Sequence, residues 1–70
     1  MDVISENDLI YSPKVGLFTV VAASLDESSG TVNATVSDGI KKERWTFSIN
    51  DATRFSKSWY LSAMPRIREY

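Results

Sequence analysis

The most regular alternation of apolar and polar side chains lies mid-chain. From Thr31 to Ser37, Val32, Ala34 and Val36 share one parity and Thr31, Asn33, Thr35 and Ser37 the other, the period-two pattern of a half-buried strand. Asp38-Gly39 follows, a dipeptide that favours a two-residue type I′ hairpin turn because both central residues take positive φ. That turn sets Ser37 opposite Ile40, Asn33 opposite Arg44 and Val32 opposite Trp45. One face of the hairpin then carries Val32, Ala34, Trp45, Phe47 and Ile49. The other carries Thr31, Asn33, Thr35, Lys42, Arg44, Thr46 and Ser48. A slip of one residue would exchange the two faces.

Residues 14–25 combine β-branched and aromatic side chains without a helical charge pattern, and they predict a strand. Here both parities are apolar: Leu17, Val21, Ala23 and Leu25 on one, Phe18, Val20 and Ala22 on the other. If the first set joins the core, the second lies on the outer sheet face, and contiguous apolar patches mark contact sites. Phe18, Val20 and Ala22 are therefore the candidate partner or dimer contact. Asp26 to Gly30 supplies a polar hairpin loop between this strand and the next.

Beyond the hairpin, Asn50-Asp51 offers a helix cap and an acidic first turn. Ala52, Phe55, Trp59 and Ala63 recur at helical spacing, with Arg54, Lys57 and Ser58 on the opposite side, and Pro65 closes the segment. Residues 1–13 read as an acidic leader whose Leu9-Ile10-Tyr11 group either adds an edge strand or lies over the core. Residues 65–70 read as a short basic tail. The fold class expected is α+β: a three-stranded antiparallel meander packed against one C-terminal helix, one domain over residues 1–70. The alternative is a small SH3- or OB-like barrel that recruits Leu9–Tyr11 and Met64–Ile67 as strands and shortens the helix.

Composition removes most chemistry. The 70 residues include neither Cys nor His, so disulfides, thiolate metal sites and the usual general base are all missing. The glycines stand alone and build no phosphate loop, and Asp26-Glu27 is an ordinary pair of loop carboxylates. No catalytic residue, cofactor or metal is expected. The longest apolar run, Val20 to Ala23, is far short of a membrane span. Without a signal segment the chain reads as cytoplasmic, and as a complete small gene product that starts at Met1.

The formal net charge of −1 conceals an uneven distribution. Residues 1–40 hold six acidic side chains against Lys14, a net −5, whereas residues 41–70 hold seven basic side chains against Glu43, Asp51 and Glu69, a net +4. Aromatic residues are interleaved with the basic half, a combination that suits phosphate pairing and base stacking. The candidate nucleic-acid contacts are Asn33, Thr35, Lys42, Arg44 and Thr46 on the outer sheet face, with Arg54 and Lys57 on the helix.

From Gly30 to Trp59 the chain resembles the three-strand-plus-helix DNA-binding domains of plant AP2 factors and the arm-binding domains of phage integrases. The features that carry the resemblance are the Asp38-Gly39 turn, the Arg44-Trp45-x-Phe47 strand, and Asn50-Asp51-Ala52 opening a helix. It implies an outer sheet face that enters the major groove with Asn33, Thr35, Lys42, Arg44 and Thr46. It covers under half of the chain; the first strand lacks the basic residues of those domains, and the acidic leader is foreign to them. The leading functional expectation is a small non-catalytic binding protein that docks a protein partner or a second copy of itself through the outer sheet face. Nucleic-acid binding is the alternative.

Overall fold

The computed structural model describes residues 3–69, which form a single mixed β-sheet of seven strands. Met1 and Asp2 of the leader and Tyr70 of the tail lie outside the described residues. In chain order the strands are β1 (Leu9–Ser12), β2 (Gly16–Asp26), β3 (Thr31–Ser37), β4 (Lys42–Ser48), β5 (Ala52–Phe55), β6 (Ser58–Leu61) and β7 (Arg66–Glu69). Their spatial order is β5-β6-β1-β2-β3-β4-β7. Neighbours are antiparallel except β1 and β6, which run parallel.

One face of this sheet supplies the core. Ile10, Phe18, Val20, Val32, Ala34, Val36, Trp45, Phe47, Trp59 and Leu61 are buried together, joined by Ile4 from the leader. Trp45 is fully enclosed, its ring edge-on to Phe18 at 5.0 Å between centroids. Among the described residues no second layer covers this core, so the sheet itself must curl around it. The smallest principal extent is 21 Å, about twice the ~10 Å spacing of stacked sheets.

The α+β expectation is overturned: the described residues contain no α-helix. Asn50-Asp51 caps no helix: both residues lie inside one 3-10 turn, Ile49–Asp51, which is capped instead by Ser48, whose Oγ accepts from the Asn50 amide. Beyond it Thr53, Phe55, Trp59 and Tyr60 are β-branched or aromatic, types that lose rotamer freedom in a helix and pack well on a pleated surface. The chain turns at Ser56-Lys57, with Ser56 in the left-handed region at φ 58°, and returns as β6 in register, Phe55 opposite Ser58. The helical spacing of Ala52, Phe55, Trp59 and Ala63 was coincidental. Trp59 and Leu61 point inward from a strand, while Phe55 is exposed. The resemblance to AP2-type domains loses its helix here.

Two further corrections concern pairing. Residues 9–12 form no edge strand, since β1 lies inside the sheet between β6 and β2. The Asp38-Gly39 connection is not a two-residue turn either. Ser37 pairs with Lys42 and Thr35 with Arg44, leaving a four-residue loop in which Asp38 Oδ1 accepts from the amides of Ile40 and Lys41, both at 2.9 Å. Those amide bonds hold the Asp38 carboxyl below its ordinary range. The shift from the expected register is two residues, an even number, so both faces of the hairpin are preserved.

The double-sided character of β2 has a local cause. Val20 pairs with Val36 but Ala22 with Thr35, so Val21 is an extra residue in the ladder. Such a bulge bends its strand and switches the parity that faces inward. Phe18 and Val20 point into the core before it, and Ala23 and Leu25 pack against the core after it. Apolar residues from both parities are thus used on the same side of the sheet, while Leu17 and Ala22 face outward.

Candidate functional site

Cross-strand register sorts the outer face into rows. One row runs Ala22, Thr35, Arg44, Arg68 across β2, β3, β4 and β7, and the next runs Ser24, Asn33, Thr46, Arg66. These eight residues line a surface groove of about 660 Å³. A strongly twisted sheet is saddle-shaped, so a face that is convex around the core along one diagonal becomes hollow along the other.

The arginines in this groove have no carboxylate partner among the described residues. Arg44 and Arg68 are direct register partners on one face, an arrangement that destabilises a sheet when the charges are alike. Arg66 sits two residues from Arg68, on the same face. Ion pairs among the described residues join Lys41 to Glu43 and Arg54 to Asp8, and none reaches these three side chains. The acidic residues of the same strands are nearby in sequence but face the other way. Glu43 and Glu69 oppose each other across β4 and β7, and Glu43 accepts from Trp45 Nε1 at 3.0 Å and pairs with Lys41 at 3.6 Å. Period-two alternation therefore separates cation from carboxylate.

The rest of the groove is small, with Ala22 beside the polar Ser24, Asn33, Thr35 and Thr46. Thr46 Oγ1 donates to Asn33 Oδ1 at 3.0 Å, which orients the Asn33 amide and leaves its NH₂ as a donor at the groove surface. Asp26 lies one row beyond, opposite Thr31. Its Oδ1 accepts from the Ser28 hydroxyl at 2.6 Å and the Ser28 amide at 3.1 Å, bonds that hold its carboxyl below the ordinary range.

Of the residues expected to contact nucleic acid, Asn33, Thr35, Arg44 and Thr46 come together in the groove. Lys42 lies on the same outer face, one row further along β4, opposite Ser37. Arg54 and Lys57 do not join them. There is no basic helix, and both belong to the β5–β6 hairpin at the other edge of the sheet. Arg54 is engaged there: its Nη1 lies 3.4 Å from Asp8 Oδ2, its Nε donates to the Ser56 carbonyl at 2.7 Å, and its guanidinium lies 5.2 Å from the Trp59 ring centroid. Asp8 Oδ2 also accepts from Trp59 Nε1 and the Ser5 amide, both at 3.0 Å. Partial burial pushes the Asp8 carboxyl up, but these hydrogen bonds and the Arg54 charge outweigh it and hold the group below its ordinary range.

Of the expected partner contacts, Phe18 and Val20 are core residues, 4% and 1% exposed. Only Ala22 lies on the outer face, as part of the groove. The exposed apolar surface is elsewhere. Tyr11 stacks on Tyr60 at 6.0 Å, with Leu17 opposite Tyr11 and Leu9 two residues away on the same face. Arg66 and Arg68 are the groove residues that the tail reading passed over. The alternation Arg66-Ile67-Arg68 was their signal, with Ile67 turned to the core. No helix among the described residues is long and apolar enough to cross a membrane. No protein-family model, curated protein or solved structure matches this chain.

Proposed function

We propose that this chain is a small, non-catalytic, cytoplasmic binding domain whose outer sheet face holds a nucleic acid. One observation carries the reading: Arg44 and Arg68 are cross-strand partners with Arg66 beside them, and no described carboxylate pairs with any of the three. Like charges set opposite each other weaken a sheet. An anion in the groove would relieve that repulsion, and arginine is the side chain best matched to phosphate. Local rules of stability are broken at functional sites more than elsewhere. Catalysis is left out because the chain has no histidine or cysteine to activate a nucleophile.

The test is fluorescence anisotropy with a labelled oligonucleotide at increasing salt. Three phosphate contacts give a slope of log affinity against log salt between about −2 and −3. The Arg44→Ala/Arg68→Ala variant loses affinity by at least about tenfold. Absence of binding at low salt would refute the reading, as would a polyglutamate competitor of equal charge that displaces the oligonucleotide equally well.

Self-association is the second reading, favoured by the stacked Tyr11–Tyr60 pair with Leu9 and Leu17. The rows through these residues carry no charge: Thr53, Tyr60, Tyr11 and Leu17 in one, Phe55, Ser58, Leu9 and Thr19 in the other. A two-fold contact sets each patch against itself, which a neutral surface tolerates. Light scattering that shows a monomer at high protein concentration removes this reading.

A further inference from the structure

Resting on the nucleic-acid reading, we infer that the groove takes a single strand by its sugar–phosphate backbone and is indifferent to base composition. The first ground is shape. A protein reads a duplex by inserting an element into a groove about 12 Å wide and 8.5 Å deep. This surface is itself hollow, with Arg44 on β4, one strand in from the β7 edge. From β2 to β7 is three strand spacings, about 14 Å, a width that admits one chain and keeps the body of a double helix off the floor.

The second ground is spacing. Arg66 and Arg68 are two residues apart on one strand, about 6.8 Å, close to the phosphate repeat of an extended polynucleotide. Arg44, opposite Arg68, closes a second side on the same phosphate. The Asn33 amide, oriented by Thr46, adds a neutral donor for phosphate or sugar oxygen.

The third ground is what the groove lacks among the described residues. Base recognition on open sheets uses exposed aromatic rings as stacking platforms. Trp45 turns its ring into the core, and the exposed rings Tyr11, Tyr60 and Phe55 belong to β1, β6 and β5, beyond the groove. Bases therefore point away from the protein while the backbone lies in the groove.

The experiment compares 20-nucleotide dT and dA single strands with a 20-base-pair duplex at one salt concentration, by anisotropy. The expected result is binding of both single strands within about threefold of each other, with the duplex at least about tenfold weaker. Duplex binding equal to or tighter than single-strand binding overturns this inference and leaves the broader reading standing. More than tenfold preference between dT and dA overturns the backbone-only part. Failure of all three probes overturns both. Arg44→Lys/Arg68→Lys keeps the charge but loses the guanidinium fork. It should bind between the wild type and the double-alanine variant, with thermal melting confirming that each variant is folded.

Discussion

Two groups of arginine occupy opposite margins of one sheet, and their circumstances differ completely. Arg54, near the β5 edge, has a carboxylate, a carbonyl and an indole face within the fold. Arg44, Arg66 and Arg68, near the β7 edge, have no described carboxylate and two of them face each other. A cation whose partners are all supplied by its own chain holds structure. A cation left among like charges at a groove is available to something else. Residue type is the same in both places, so composition alone does not tell them apart.

The largest effect that could break this contrast is in binding. Replacing Arg44, Arg66 and Arg68 with alanine should lower oligonucleotide affinity by roughly 100-fold or more at low salt. Stability should hold, or rise by a few tenths of a kcal/mol as like-charge repulsion is removed. A large loss of stability would show that these side chains are structural after all.

Arg54→Ala should do the reverse. It removes a partly buried ion pair and leaves Asp8 with only Trp59 Nε1 and the Ser5 amide, with an expected cost of about 1 kcal/mol in denaturant unfolding and binding within twofold of wild type. A binding loss matching that of the groove variants would merge the two margins into one site.

Acid reaches the same latch by another route. The Asp8 carboxyl is held below its unfolded value of about 3.8, so its stabilisation is complete above that pH and is lost as pH falls through the lower folded value. Unfolding measurements should show stability falling below about pH 4, and Asp8→Asn should flatten part of that fall. The smallest effect is at the groove's far end. Asp26→Asn removes a carboxylate one row from Arg66 and should raise affinity about twofold in low salt, a change that 0.5 M salt erases because an exposed charge is screened.

Part of the site was legible in the sequence, and the reason is locality. Asn33, Thr35, Arg44 and Thr46 share a face because alternation along a strand is fixed by the pleat, and the register error at Asp38 was even. The helix over residues 52–63 was not legible as two strands. Its apolar spacing satisfied a helical period, while its strand character depended on β1 lying beside β6. Phe18 and Val20 were misplaced because a bulge is invisible to period counting. One inserted residue, Val21, reassigns every side chain on one side of it.

The sequence by itself determined which side chains of β3 and β4 face in and which face out, because that depends only on neighbours one and two residues away. It also excluded the chemistry of histidine and cysteine. Only the tertiary structure decided that the leader enters the middle of the sheet and that the basic tail lies beside β4. Strand pairing joins segments distant in sequence through backbone carbonyls that every residue carries and amide donors that only proline lacks. The side-chain pattern states which face a strand offers but does not name its neighbour. Arg44 opposite Arg68 is a product of that pairing.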